Sequence, residues 1–276
     1  MNRCGTRLAG LLPPLGGVFN ATSFGRGFLR LTMALDLKTS MKTKVERERT
    51  WGLMSDSVEN LIEFLTPLNR ILLVGKQRFR ITVRNRSDSV HLYTDKTIAG
   101  RKERIKIWIE KRGAAARAER VTLTRDGAKR ETLLSPELRG EELTIFLMKC
   151  DKIKSAFVKR RSKFKYNGPS GKFSIAIDSV APIDTHNDRQ YYKCYLEAEC
   201  LDKHLLNYID DNLVAKDPIA ALTYPLGISD TKWRAFRLAK LRNATDLFGE
   251  KRLEQAISDL ICEAFEDGYS NAKFNL

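Results

Sequence analysis

Long stretches of the chain alternate apolar with polar residues, the pattern of β-strands that bury one face. Phe79, Ile81 and Val83 fall on one face of such a strand, and arginines fall on the other. The pattern predicts strands at residues 45–51, 77–84, 90–98, 104–111, 121–125, 156–166, 173–180 and 191–200. Turn signals at Asp126-Gly127 and at residues 167–171 favour hairpins, so we predict an all-antiparallel sheet.

Helical periodicity is confined to two short segments among these strands and to the end of the chain. Ser55 or Asp56 is placed to cap the first segment, and Leu143 faces inward in the second. The predicted helices cover residues 55–65, 137–154, 205–214, 230–241 and 250–265. We therefore predict an α+β fold, mainly β, with a β domain at residues 42–203 and a helical C-terminal extension at residues 204–276.

The first 41 residues lack this patterning and are interpreted as a separate leader. They contain arginines, glycines, prolines and hydroxyl side chains but no acidic residue before Asp36, a composition that resembles an organelle transit peptide. The alternative, which we favour, is that the true start is Met33 or Met41. Both interpretations predict a poorly packed segment, and the first also predicts import into an organelle.

The chain is strongly basic, with 49 Lys and Arg against 34 Asp and Glu, a formal net charge of +15. This excess favours a polyanionic partner such as nucleic acid, an anionic membrane surface or a phosphorylated small molecule, although a solvated basic surface would also produce it. The 5 cysteines include no C-x-x-C pair, so neither a disulfide framework nor a zinc site is predicted. Reduced thiols indicate a cytoplasmic location. The chain has no apolar run near the ~18 residues that would predict a membrane span.

Two pairs of glutamates stand near the ends of the predicted β domain, as Glu46-x-Glu48 and Glu197-x-Glu199. On a strand, each pair projects two carboxylates toward one side, about 7 Å apart. Such carboxylates raise each other's pKa unless a cation lies between them, and Mg²⁺ or Mn²⁺ is the kind of ion that they bind. A single pair is more often a solvated strand face, but two pairs that bracket one domain favour a metal site.

Basic residues lie on the strands between these pairs. The segment 159–165 places Lys159, Arg161, Lys163 and Lys165 on one strand face. Further basic residues on alternating strands are Arg78, Arg80, Arg84, Arg104 and Lys106. Arg donates paired hydrogen bonds to phosphate and Lys supplies a point charge, so this set suits a chain of phosphates. Asp178 shares its strand face with small residues, which favours a crowded interior that a ligand approaches.

Taken in order, these motifs resemble the CYTH family, the triphosphate tunnel metalloenzymes. The matching segments are Val45-Glu46-Arg47-Glu48, Arg104-Ile105-Lys106-Ile107, Lys159-x-Arg161, Ile177-Asp178-Ser179-Val180 and Glu197-Ala198-Glu199. The resemblance implies eight antiparallel strands closed into a tunnel barrel with helices outside it. It also implies hydrolysis of a triphosphate, which is inorganic tripolyphosphate, a nucleoside triphosphate or an RNA 5′-triphosphate.

The resemblance also assigns roles to individual residues. The metal ligands for Mg²⁺ or Mn²⁺ would be Glu46, Glu48, Asp178, Glu197 and Glu199. The triphosphate would be bound by Arg80, Arg104, Lys106, Lys159, Arg161 and Lys163. Catalysis would depend on Glu46, Glu48, Lys159 and Arg161, with a metal-oriented water attacking the terminal phosphorus.

The sequence departs from the family pattern at Thr50, where the family has a lysine that it ties to the reaction. Catalysis is therefore less firmly implied than binding. A second ambiguity is that Arg78-x-Arg80 competes with Arg104-x-Lys106 for the same basic motif. The alternatives are a class IV-like adenylate cyclase, a non-catalytic protein that binds polyphosphate or RNA, and a basic barrel that binds nucleic acid on its outer surface.

Overall fold

The three-dimensional description rests on a computed structural model. It describes residues 43–98, 101–110, 113–123, 128–148, 153–183, 192–227, 232, 236–242, 256–257, 259–260 and 273–275. The strands are β1 (Thr43–Leu53), β2 (Ile71–Val74), β3 (Gln77–Ile98), β4 (Arg101–Glu110), β5 (Gly113–Leu123), β6 (Lys129–Leu133), β7 (Leu138–Arg139), β8 (Ile153–Gly168), β9 (Gly171–Pro182), β10 (Lys193–Cys200), β11 (Thr223–Tyr224), β12 (Arg237–Arg242) and β13 (Lys273–Asn275). The helices are α1 (Val58–Phe64), α2 (Gly140–Met148), α3 (Lys203–Ile209) and α4 (Ile219–Leu222), with a 3₁₀ turn at Ser55–Ser57 and a π-helical turn at Asp210–Val214.

Eight of the strands close into an antiparallel barrel. Their order around the barrel is β8, β9, β10, β1, β6, β5, β4 and β3, and β3 pairs again with β8. Closure satisfies the hydrogen-bonding groups of both edges of the sheet, which an open sheet would leave exposed. The predicted closed barrel of eight antiparallel strands, in a mainly β, α+β fold, is confirmed.

Most of the barrel strands bury an apolar face outside the barrel, against helices. One outer core joins Phe164, Ile175 and Leu196 to α1 and α3, and a second joins Ile107 and Val158 to α2. Because side chains alternate along a strand, the residues between these positions point into the barrel. The helices therefore shield the outer wall and leave the polar faces to line a tunnel.

Strand β3 differs from the prediction because it runs unbroken where two strands were expected. Its register with β8 shifts between Ile81, which faces Tyr166, and Val83, which faces Lys165. The extra residue is a β-bulge, which reverses the alternation beyond it. The prediction that Val83 shares a face with Phe79 and Ile81 is therefore wrong.

The helices also differ from their predicted limits, because backbone groups near their ends pair with strands. Within the described residues, the helix predicted at 137–154 covers Gly140–Met148, since β7 pairs with β5 before it and β8 begins at Ile153. The helix predicted to start with a Ser55 or Asp56 cap begins after the 3₁₀ turn, and Ser57 at its N-cap makes no side-chain capping bond.

The C-terminal extension contains strands as well as helix. The prediction for residues 205–214 is confirmed by α3 and the π-helical turn. Residues 237–242 form β12 instead of the predicted helix. The pairing of β8 with β9 ends at Phe157, and β12 pairs with the remaining part of β8, at Ser155 and Ile153. The leader, the Asp126-Gly127 turn and most of the segment 250–265 lie outside the described residues. Within the described part of the chain, no helix is long and apolar enough to cross a membrane.

Candidate functional site

The barrel interior is lined by charged side chains of both signs. Inward-facing charged residues include Glu46, Glu48, Arg104, Lys106, Arg117, Glu119, Lys129, Glu131, Lys159, Arg161, Lys163, Asp178, Glu197 and Glu199. An unpaired ion in such a place costs several kcal/mol, so buried ions need partners. The contacts divide the five carboxylates that were predicted as metal ligands into two groups of different character.

The first group is a triad of glutamates, Glu46, Glu48 and Glu199. One oxygen from each lies within 4.8 Å of the others. The register explains this, because Glu48 of β1 lies directly opposite Glu199 of β10. Burial and the negative charge of Glu197 raise the pKa of Glu199. Three crowded carboxylate oxygens match the donors that Mg²⁺ and Mn²⁺ prefer, so these residues fit a divalent ion.

Three lysines contact this triad. Lys129 of β6 lies 2.6 Å from Glu48 Oε2 and 3.4 Å from Glu46 Oε1. Lys44 pairs with Glu46, and Lys163 pairs with Glu199. Sequence reasoning missed Lys129, although Lys129 and Glu131 share a parity on their strand and so carried a usable signal. Each lysine is a single flexible cation, which a metal ion could replace.

The second group is the pair Asp178 and Glu197, which binds Arg161. Arg161 Nε donates to Asp178 Oδ1 at 2.5 Å, and its Nη2 donates to Asp178 Oδ2 at 2.7 Å. The same Nη2 lies 2.6 Å from Glu197 Oε1. Asp178 has no exposed surface. Burial alone raises the pKa of such a carboxyl, yet Arg161 and nearby lysines hold the pKa of Asp178 far below its usual value.

A lysine from the C-terminal extension completes this pair. Lys232 Nζ lies 2.8 Å from Glu197 Oε2 and also contacts Asp178. It lies 5.2 Å from the centre of the Tyr195 ring, a cation–π contact. Burial opposes its charge, but Asp178 and Glu197 raise the pKa of Lys232 above its usual value. Sequence reasoning could not find Lys232, because only tertiary structure brings that segment to the barrel.

The wall formed by β4, β5 and β6 is basic. Arg104 donates to Glu119 at 2.8 Å and to Glu131 at 2.7 Å. Lys106 faces the same interior but forms no ion pair with a described residue. Burial and the charge of Arg104 lower the pKa of Lys106 to about 8. An inward cation without a carboxylate partner is a position where an anionic ligand would be stabilised.

The remaining predicted positions lie apart or in altered surroundings. Arg80 is exposed and lies opposite Asn167 on β8. Thr50 of β1 lies opposite Glu197 of β10. Lys232 contacts the carboxylate of Glu197, so an ammonium group lies beside the position where the CYTH pattern has a lysine. Arg49 points outward and pairs with Asp210.

The two ends of the barrel differ. One end opens into a cavity of ≈ 720 Å³ beside Glu46 and Glu199. At the other end Phe157 packs against Phe236, which lies next to β12, and against buried His91. Burial and surrounding cations lower the pKa of His91 well below its usual value, so this imidazole adds no charge here. A ligand would therefore approach the triad from the open end.

The chain was compared with known proteins. No model of a protein family matches the sequence, and no curated protein matches it either.

Proposed function

We propose that the barrel is a divalent-metal-dependent triphosphatase. The observation that carries the proposal is the triad Glu46, Glu48 and Glu199, whose oxygens lie within 4.8 Å of one another inside a tunnel lined by cations. The substrate would be inorganic tripolyphosphate, a nucleoside triphosphate or an RNA 5′-triphosphate. The motif order that resembles the CYTH family supports the same proposal.

The pairing of the interior charges supports a site that exchanges partners on binding. Lys44, Lys129 and Lys163 each hold a glutamate of the triad. A divalent ion at the triad would release these ammonium groups, and a polyphosphate would give them new partners. Ligand and metal would therefore enter together without leaving buried charge unpaired.

Arg161, Lys159 and Lys106 supply the charge that a phosphoryl group needs. Arg161 is fixed by Asp178 and Glu197, so its guanidinium is oriented before substrate arrives. Lys159 lies 3.5 Å from Asp178 on the same wall. Preorganised cations of this kind stabilise charge that develops on the equatorial oxygens during phosphoryl transfer.

Glu46, Glu48 and Glu199 would hold the Mg²⁺ or Mn²⁺ ion. The ion would supply a Lewis acid for phosphoryl oxygens and would lower the pKa of a bound water. Asp178 and Glu197, which were also predicted as ligands, are occupied by Arg161 and Lys232. We assign to them the orientation of Arg161.

A non-catalytic polyphosphate-binding protein is the second candidate. It is favoured by Thr50, which stands where the family has its reaction-linked lysine. Lys129 and Lys232 bring ammonium groups to carboxylates of the site, and this favours the enzyme. A class IV-like adenylate cyclase would need an adenine pocket, for which the sequence supplies no motif.

The test is phosphate release from tripolyphosphate, ATP, thiamine triphosphate and 5′-triphosphate RNA, each with Mg²⁺ and with Mn²⁺. We expect metal-dependent release from at least one substrate and a large loss in Glu48→Gln. Binding without release from any substrate would leave the non-catalytic protein, and formation of cyclic AMP from ATP would indicate the cyclase.

A further inference from the structure

The cavity at the open end of the barrel has a charged floor and a charged rim. Its lining residues include Lys44, Glu46, Thr82, Lys163, Lys165, Asn167, Lys172, Ser174 and Glu199. Four of these are lysines and two are glutamates, so the lining carries an excess of two positive charges. The two glutamates belong to the triad, and therefore the cavity leads directly to the candidate metal site.

The excess charge lies on the rim. Lys44 and Lys163 are balanced by triad glutamates. Lys165 and Lys172 are exposed, and neither forms an ion pair with a described residue. The rim cations, Lys165 and Lys172, are thus the two lysines of the lining that form no ion pair with the triad.

The sheet register brings these two lysines together. Lys165 of β8 lies opposite Ser174 of β9, and Lys172 is two positions along from Ser174 on the same face. Such diagonal neighbours are about 7–8 Å apart. From positions this close, both ammonium groups can reach one anion, which would relieve the repulsion between the two like charges.

The described lining residues offer charge and hydrogen bonds at the rim but no free aromatic face. The aromatic residues of the lining are Tyr166 and Phe173, which stack on each other with ring centres 4.8 Å apart. Phe79 packs edge-on against Phe173 at 4.9 Å, and Tyr166 donates its hydroxyl to Leu65 O. A nucleobase leaving the tunnel would find no ring to stack on among these residues, whereas a further phosphate would find cations.

The inner face of β8 extends the same chemistry from the tunnel to the rim. Lys159, Arg161, Lys163 and Lys165 follow at every second residue, about 7 Å apart and so about 20 Å in total. The first three contact Asp178, Glu197 or Glu199, and the last does not. The row of cations therefore continues past the carboxylates toward the cavity opening.

We infer that Lys165 and Lys172 form an outer subsite for phosphates beyond the third, so that the preferred ligand is a linear inorganic polyphosphate longer than tripolyphosphate. This inference rests on the proposed function, because it takes the triphosphate site as the inner end of the chain. Lys165 and Lys172 are binding residues for the protruding part of the ligand and do not touch the reacting phosphate.

The test is a binding measurement at fixed ionic strength, without metal, by isothermal titration. Tripolyphosphate, long-chain polyphosphate and a 5′-triphosphate oligoribonucleotide are compared, with affinities expressed per chain. The proteins are wild type, the double variant Lys165→Ala/Lys172→Ala, and Lys216→Ala as a control with an exposed lysine elsewhere. We expect wild type to bind the long chain about tenfold more tightly than tripolyphosphate, as two exposed ion pairs allow. The double variant should lose that preference and keep its affinity for tripolyphosphate.

Other outcomes would overturn the inference. Equal affinity of wild type for long and short chains would refute the outer subsite. If Lys216→Ala lost the chain-length preference as much as the double variant does, the preference would come from general surface charge. Tighter binding of the oligoribonucleotide than of long polyphosphate would assign the rim to RNA. Phosphate release from tripolyphosphate is measured in parallel. Phosphate release without a chain-length preference would support the triphosphatase and refute the outer subsite. A chain-length preference without phosphate release would support the outer subsite and refute the triphosphatase.

Discussion

Two groups of carboxylates share one barrel but differ in what neutralises them. Asp178 and Glu197 are held by Arg161 through hydrogen bonds of 2.5–2.7 Å, and Lys232 adds a second cation. The triad of Glu46, Glu48 and Glu199 is neutralised mainly by separate lysines, and Arg161 reaches it through one longer hydrogen bond, of 3.2 Å, to Glu199. The pKa of Asp178 is far below its usual value, whereas burial and Glu197 raise the pKa of Glu199.

This difference shows which carboxylates are available for a metal. A bidentate guanidinium fixed by two acids satisfies their charge and loses little entropy when it is bound. Separate lysines satisfy charge less completely and exchange more easily. The sequence pattern treats all five acids alike because strand parity reports only that each faces inward. The positions of the cations separate a structural pair from a candidate metal site.

The largest expected effect is on stability and comes from the structural pair. Asp178→Asn should lower the free energy of unfolding by about 3–5 kcal/mol, since it removes a fully buried counter-charge and leaves Arg161 and Lys232 to share Glu197. Glu48→Gln should change the free energy of unfolding by less than about 1 kcal/mol. Glu48 is partly solvated, and Lys129 still forms ion pairs with Glu46 and Glu131 in the variant. Urea titration of both variants measures the difference. Equal effects would erase the distinction between the two groups.

The next effect concerns turnover and follows strand parity on β8. Lys159 and Arg161 face the interior, whereas Arg160 lies 5.4 Å from the Tyr192 ring on the other face. Lys159→Ala and Arg161→Ala should cut phosphate release by about 10²–10³, as the loss of a preorganised donor does elsewhere. Arg160→Ala should matter little.

Circular dichroism of these variants separates misfolding from lost chemistry, and Arg161→Lys tests whether charge alone suffices. Similar losses at positions 159, 160 and 161 would refute the tunnel site. A parity effect on affinity without turnover in any variant would withdraw the enzyme and keep the binding site.

A smaller effect should come from Lys232, which competes with a metal for negative charge. Lys232→Met removes one cation from Glu197, the neighbour of Glu199. The affinity for Mn²⁺ should rise about fivefold, or about 1 kcal/mol, which is the order of magnitude for the loss of one nearby charge in water. Titration calorimetry with Lys216→Met as the matched control measures it. A weaker affinity in Lys232→Met would mean that Lys232 supports the metal site.

The strands could be predicted because their alternation is strict and each apolar face packs outside the barrel, as Ile105, Ile107 and Ile109 do in the core beside α2. The bulge after Ile81 could not be predicted, since alternation alone carries no signal for an inserted residue. Inward parity identified the candidate carboxylates. Their division depends on Lys129 and Lys232, whose contacts form only when distant segments of the chain meet.

The smallest effect is the titration of Lys106, which belongs to neither group of carboxylates. The charged and titratable groups that influence it are Arg104 on its own strand, Arg117, Glu119 and Glu131 on the neighbouring wall, and Arg161 and His91 toward β8 and β3. Burial and Arg104 lower its pKa to about 8, compared with 10.5 for the free side chain. Below pH 8 the folded protein therefore bears the full cost of this buried charge, and the cost is relieved as the pH rises from 8 to 10.5.

Lys106→Met should consequently stabilise the ligand-free protein at pH 7 and have less effect at pH 10, as urea titration at the two pH values would show. Tripolyphosphate should favour the protonated amine and raise its pKa, so binding at pH 9 should take up a proton. Calorimetry in two buffers of different ionisation enthalpy measures this uptake, which Lys106→Met should reduce and Arg80→Met should leave unchanged, because Arg80 is exposed. Equal uptake in wild type and Lys106→Met would show that the ligand does not reach the basic wall, and the triphosphate would then be held by the β8 side of the tunnel alone.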